Sequence, residues 1–347
     1  MKIGILTFHN IPNFGAILQA YALCKALRHM GHECEIINYR CDNIVARELT
    51  YHPHPNIIKN IILRHFIWPT TEKKIKACQN FILQNNMYSK NSFDRRSISN
   101  ANNNYDAFLS GSDMIWDFSV TNKDTTYLLD FVNDEKLRYS YGSSCGDEIW
   151  DEKDMDKVLP LLNHYQGVAV REEQMLKKLQ MLGVESTFVA DPTLLLTPQH
   201  WTEVANRPKD KDYVLVYFPS DINLAAASKY ARDNKKEVIV LNWGLPIRKY
   251  KNVRPYSPQE WVGYIKSADA VFTNSYHGLL FSLYFNKPVW VGKGGSRFAS
   301  LMGYLDIRNI DLKKDPDLNY KINYEIVSTL LDKMREGSLN YLRTIGH

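Results

Sequence analysis

Lys2-Ile3-Gly4-Ile5-Leu6-Thr7 is a compact apolar run that breaks at His9-Asn10-Ile11-Pro12-Asn13-Phe14-Gly15. A short continuous run of this kind is the pattern of a parallel strand buried on both faces. From Ala16 to Met30 the apolar residues Ile17, Leu18, Tyr21, Ala22 and Leu27 recur at helical spacing, and Gly31 follows as a C-terminal stop. Glu33 to Asn38 is the next strand. Strand, helix and strand make a βαβ unit, and its first loop lies at the carboxyl end of a strand, where open α/β sheets bind ligands. The turn Asn13-Phe14-Gly15-Ala16 then either faces a ligand crevice or is a plain helix start. It carries neither G-x-G-x-x-G nor the P-loop pattern.

The same rhythm recurs downstream. Tyr105 to Leu109 ends in Ser110-Gly111-Ser112-Asp113, with Trp116 close behind, and Arg138 to Tyr141 ends in Gly142-Ser143-Ser144. Gly167 to Val170 ends in Arg171-Glu172, and Thr187 to Ala190 ends in Asp191-Pro192-Thr193. In a parallel sheet such ends share one edge, so the pattern describes a crevice lined with hydroxyls, Asp113, Arg171 and Asp191. Arg207 to Asp212 is charged, proline-bearing and aperiodic, and reads as a linker. Beyond it come strands Tyr213 to Phe218, Glu237 to Leu241, Ala270 to Thr273 and Val289 to Gly292, with helices between them and a last helix from Glu325 to Glu336.

Two doubly wound α/β domains facing a cleft follow from this order. The expected division is residues 1–205, with a helical insertion over about 55–90, then residues 206–320, and a C-terminal helix in 321–347 packing back on the first domain. The chain of 347 residues is long enough for two cores, and 44% hydrophobic with 23% charged residues argues against disorder. No apolar run reaches the roughly 20 residues of a spanning helix, and the N-terminus lacks a leader pattern, so a cytoplasmic location is expected. The five cysteines form no CxxC or Cys/His cluster, and neither zinc nor a disulfide framework is expected. A net charge of +5 without a basic stripe points to small acidic ligands or an anionic surface rather than nucleic acid.

Within the insertion, Ile57 to Trp68 and Lys73 to Asn85 read as two helices separated by Pro69-Thr70-Thr71. Their isoleucines are mixed with Lys59, Arg64, Lys73, Lys74 and Lys76. They either cover the sheet or press residues 57–86 against an anionic membrane, as a peripheral contact at its inner face.

In the second series the strand Ala270 to Thr273 stops at Asn274-Ser275-Tyr276-His277-Gly278, and a helix, Leu279 to Phe285, follows that turn. The N–H groups of a helix N-terminus make a ready anion site. His277 in that turn is either a satisfied structural histidine or a group that exchanges a proton beside the bound anion.

Taken together, Ile3-Gly4-Ile5-Leu6-Thr7 with Asn13-Phe14-Gly15-Ala16, Gly111-Ser112-Asp113 with Trp116, Ser140-Tyr141-Gly142, Val170-Arg171-Glu172, Asp191-Pro192-Thr193-Leu194-Leu195 and Ser275-Tyr276-His277-Gly278 resemble, in order and spacing, the polysaccharide pyruvyl transferase family over roughly residues 3–305. The family carries Phe where Tyr276 stands and Gln-Val-Trp where Met114-Ile115-Trp116 stand. The resemblance implies two Rossmann-like domains in a GT-B-like fold. It also implies an enzyme that uses phosphoenolpyruvate as co-substrate, without a cofactor or metal, to place a pyruvate ketal on a sugar during surface polysaccharide synthesis. The acceptor sugar is carried on a lipid, on a nucleotide or in a finished polymer.

Such chemistry needs an anchor for a strongly anionic donor, an acid and a base. Arg171 and Arg297 suit the first task, because a guanidinium pairs with carboxylate or phosphate at two points. Ser275, Tyr276, His277 and Gly278 complete the donor site, with His277 as proton donor. Asp113 is the candidate base, grouped with Ser112, Asn13 and Gly15 on the acceptor side. Arg171 is placed among the catalytic residues as well. Bland alternatives stand beside these: Arg171 pairs with a neighbouring carboxylate, Arg297 is solvated, or Asp113 caps a helix. The Asp-x-Asp triplets beginning at 154, 210 and 315 read as charged surface. Two competing functions are a GT-B glycosyltransferase that takes a nucleotide sugar and a non-catalytic sugar-binding protein.

Overall fold

The computed structural model describes every residue except 147, 148, 315 and 347. The described residues form two compact units. The first comprises Met1–Thr50, Cys78–Leu196 and Asp332–His347, and the second Tyr51–Ala77 and Thr197–Leu331.

In the first unit, β1 (Lys2–Leu6), β2 (Glu33–Tyr39), β3 (Tyr88–Phe93), β4 (Ala107–Ser110) and β5 (Leu137–Ser140) form a parallel sheet in the order β3-β2-β1-β4-β5. The pair β6 (Ala169–Val170) and β7 (Thr187–Phe188) continues it through bridges from Gly167 to Tyr139 and from Val170 to Ser143. Ile3, Ile5 and Leu6 are fully buried, as a strand covered on both faces requires. The helix Phe14–His29 is buried along nearly its whole length. One core gathers Phe108, Trp116, Tyr127 and Trp150.

In the second unit, β8 (Tyr213–Tyr217), β9 (Glu237–Leu241), β10 (Lys251–Val253), β11 (Ala270–Thr273) and β12 (Val289–Val291) are parallel in the order β10-β9-β8-β11-β12. Phe281 sits between Trp201 and Trp261, with ring centroids 5.0 and 5.2 Å away. These rings clamp the Tyr276–Tyr284 helix beneath the end of β11.

Three expectations change. Residues 51–77 belong to the second unit, although the insertion had been placed in the first domain. The 207–212 stretch lies inside the second unit, while the chain passes between units at Leu196 and Thr197. The helices Ile57–Ile62 and Trp68–Gln84 are continuous rather than separated at Pro69. A π-turn over Leu63–Ile67, closed by the Trp68 N–H on the Leu63 carbonyl, puts Pro69 in the first turn of the next segment, where a missing N–H costs little. Strands β3 and β10 carry no apolar run, because each is the edge of its sheet and half solvated. The last helix runs Tyr324–Arg343, and its end belongs to the first unit, where Tyr341 donates to the Ser140 carbonyl at 2.8 Å.

Candidate active site

The polar strand ends of the first unit converge on one guanidinium. Arg171 follows β6, and its Nη1 donates to Asp191 Oδ2 at 2.7 Å and to Ser112 Oγ at 3.0 Å. Nη2 lies 3.4 Å from Asp113 Oδ1, and Nε lies 3.4 Å from Glu172 Oε1. The partners come from two other crossings of the sheet edge and from the residue next door. Ser112 and Asp113 follow β4, and Asp191 follows β7.

A shell of hydrogen bonds fixes these groups. Ser112 Oγ donates to the Gly142 carbonyl at 2.9 Å, and Thr7 Oγ1 donates to the Ser112 carbonyl at 2.7 Å. Gln19 donates to Thr7 Oγ1, Ser144 donates to Glu172 Oε1 at 2.6 Å, and Asp191 Oδ1 accepts from the Thr193 N–H and hydroxyl. The indole of Trp116, fully buried, donates to Ser110 Oγ and locks the loop that presents Asp113.

The side chains of Arg171, Asp191 and Glu172 are 1–2% exposed, whereas that of Asp113 is 12% exposed. Asp113 also has φ of 80°, a left-handed conformation unusual for a side-chain-bearing residue. The site thus has a buried charge lattice with one carboxylate at its solvent-facing margin, held in a strained turn. The guanidinium expected to take the donor's anion is engaged by four side chains of its own unit. Asn13 caps the Phe14–His29 helix, accepting from the N–H groups of Gly15 at 3.0 Å and Ala16 at 3.4 Å. Gly15 is buried in the first turn of that helix.

Another buried group near this edge escaped notice in the sequence. His9, 1% exposed, follows β1, with Nε2 3.1 Å from the Tyr39 carbonyl and Nδ1 3.2 Å from the Tyr88 hydroxyl. Burial pushes its pKa down to about 4, so it is a neutral imidazole. A lone histidine after an apolar run carries no sequence signal for this.

In the second unit the turn after β11 is a capped helix start. Thr273 Oγ1 accepts the Ser275 N–H at 3.0 Å, and Ser275 Oγ accepts the Gly278 N–H at 3.2 Å. A Cβ on Gly278 would lie 2.5 Å from Thr273 Oγ1, so only glycine lets the turn close this tightly. His277 is 7% exposed, with its ring edge-on to that of Tyr276 at 5.7 Å. Arg297, in the Ser296–Tyr304 helix that follows Gly294-Gly295, brings its guanidinium over the Tyr276 ring at 5.7 Å. Phe298 meets the same ring edge-on at 6.0 Å. Ser275, Tyr276, His277, Gly278 and Arg297 are therefore one cluster: a helix N-terminus, with its positive dipole end, joined by an arginine.

Three carboxylates of two Asp-x-Asp triplets pair with cations: Asp154 with Lys123 at 2.7 Å, Asp210 with Lys251 at 2.7 Å and Asp212 with Lys236 at 3.1 Å. Asp315 lies outside the described residues.

Similar folds occur in UDP-GlcNAc 2-epimerase from Methanocaldococcus jannaschii, with TM-score 0.52, 11% identity and 99% of each chain covered. UDP-GlcNAc 2-epimerase from Neisseria meningitidis, bound to UDP-GlcNAc, gives TM-score 0.52, 8% identity, 97% of this chain and 94% of that one. At this identity the likeness speaks for the fold alone, α/β with two Rossmann-like domains. No curated protein matches the sequence. The family model for polysaccharide pyruvyl transferase matches residues 13–291, a span that holds Arg171 with its four side-chain partners and the Ser275–Gly278 turn. By that match the chain belongs to the polysaccharide pyruvyl transferase family.

Proposed function

We propose that the protein transfers pyruvate from phosphoenolpyruvate to two hydroxyls of one sugar as a ketal, in the synthesis of a surface glycan. Family membership over residues 13–291 carries the reading. The two clusters, each taken by itself, accord with it chemically. Phosphoenolpyruvate presents a carboxylate and a phosphate on one carbon, and the Ser275–Gly278 helix start with Arg297 is a matching cationic cradle.

His277 gives its proton to the methylene carbon of the enol, which becomes a methyl group and leaves an oxocarbenium-like centre at the carbon bearing carboxylate and phosphate. One sugar hydroxyl adds there and loses its proton, the carbon–oxygen bond to phosphate breaks with its electron pair leaving on phosphate, and the second hydroxyl adds in its place and loses its own proton. Of the two hydroxyl protons one restores His277 and the other leaves with the phosphate. Asp113, the carboxylate at the solvent-facing margin of its cluster, takes a hydroxyl proton. Arg171 serves this scheme as a positioning residue: its Nη2 reaches Asp113 at 3.4 Å while Asp191 and Glu172 hold the rest of the guanidinium.

The experiment is phosphate release from phosphoenolpyruvate as a function of added acceptor sugar. Release that rises with acceptor is expected. Stabilisation against heat by a nucleotide sugar but not by phosphoenolpyruvate would replace this reading with glycosyl transfer. Absence of release with β-galactosides, mannosamine and lipid-linked glycans, together with retained sugar binding, would point to a non-catalytic protein.

A further inference from the structure

The helical run from Ile57 to Ile67 carries a dense group of exposed apolar side chains: Ile57 at 75%, Ile58 at 71%, Phe66 at 65% and Ile61 at 51% exposure. The other side of the run is turned to its own unit. Tyr51 donates to the Asn60 carbonyl at 3.1 Å and to Asn60 Oδ1 at 2.5 Å, and its ring packs on Trp68 at 5.7 Å, while Leu63 and Ile67 are half-buried.

At about 100° per residue, Phe66 would sit half a turn from Ile57 and off the apolar stripe. The π-turn over Leu63–Ile67 adds a residue to the ladder and winds Phe66 back to the side of Ile58. The interruption thus keeps the outward face apolar. Lys59 and Arg64 flank that stripe, one at each edge, and both are exposed. Lys73 and Lys76 are exposed in the segment that follows, and Glu72 is the single acidic residue between Ile57 and Ala77.

We infer that Ile57–Ile67 is an interfacial helix that seats the protein on an anionic lipid bilayer. Ile57, Ile58, Ile61 and Phe66 enter the boundary between headgroups and acyl chains, and Lys59 and Arg64 lie at headgroup level. The charge selects this occupant. A second copy of the chain meeting the same patch would bring like charges together, whereas anionic lipid complements them. The inference does not depend on the transfer chemistry, and it narrows the lipid contact expected over residues 57–86 to the first eleven residues of that span.

The test is co-sedimentation of the full chain, without phosphoenolpyruvate or sugar, with vesicles of phosphatidylcholine and phosphatidylglycerol in equal parts and with phosphatidylcholine alone. Binding is expected with the anionic vesicles and should weaken as salt rises. The pair Ile58→Ser with Phe66→Ser should weaken it at least about tenfold at an unchanged melting temperature, since both side chains lie outside the core. Lys59→Glu with Arg64→Glu should weaken it by tenfold or more, at roughly one factor of five per charge. Equal binding to both vesicle types, no binding to either at low salt, or unchanged binding by the serine pair would overturn the inference. So would wild-type dimers that the serine pair converts to monomers with no vesicle binding by either.

Discussion

The two polar strand-end regions handle charge in opposite ways. Around Arg171 three carboxylates crowd one guanidinium in a nearly solvent-free interior, and one of them, Asp113, reaches the margin. Around Ser275–Gly278 the protein assembles a helix N-terminus and an arginine whose guanidinium lies on an aromatic face. The first region resembles a buried salt-bridge network, where removing one partner leaves others uncompensated and costs stability. The second has the form of a helix N-terminus with an arginine beside it, the arrangement that the proposed function uses as its anion site, and its stability rests on ordinary caps and packing. Motif residues that look equivalent in a sequence therefore divide, under the proposed function, into those that hold the site and those that act in it.

The largest effect expected is on Arg171. Arg171→Ala should lower unfolding stability by about 3–5 kcal/mol, read as a shift of the urea midpoint, because Asp191 and Glu172 stay buried without their counter-ion. A variant with unaltered stability that fails to bind phosphoenolpyruvate would break the comparison and return Arg171 to the donor site. His277→Ala should do the reverse. Turnover should drop by about 10²–10⁴-fold while the urea midpoint holds. Near-normal turnover would remove His277 from the role of acid.

A third prediction separates the regions by pH. The His9 imidazole has its pKa lowered to about 4 by burial, below its ordinary value of 6.5, so the folded state takes up its proton less readily than the unfolded state. Its contribution is fully present above pH 6.5, is lost as pH falls from 6.5 to 4, and amounts to about 3 kcal/mol at most. Thermal melts across that window should show the fall in wild type and a flatter profile in His9→Gln; parallel profiles would show that the acid sensitivity arises elsewhere. The smallest effect belongs to the cap. Ser275→Ala removes the acceptor of the Gly278 N–H and should cost about 1 kcal/mol of stability, with a several-fold rise in KM for phosphoenolpyruvate. An unchanged KM would mean that the turn does not meet the donor.

Much of the plan is legible in the chain because its signals are local. The buried parallel strands read as apolar runs, Gly31 and Ser275 mark helix ends, and polar residues at strand ends recur at each crossing. Edge strands β3 and β10 hide because half of each faces water and no apolar run forms. The π-turn hides because nothing at Leu63–Ile67 distinguishes it from ordinary helix.

Within the site, the sequence by itself determined which chemical groups stand at strand ends and that His277 lies in the turn between a strand and a helix, while the structure starts that helix at Tyr276 rather than Leu279. Only the tertiary structure decided their company. It set Asp113, Glu172 and Asp191 around Arg171. It also laid Arg297 over Tyr276, 21 residues further along the chain. The physical reason is range. Strand and helix signals act over a few residues through backbone sterics and periodic burial, whereas the partner of a buried charge is chosen by which strand ends the folded sheet places side by side.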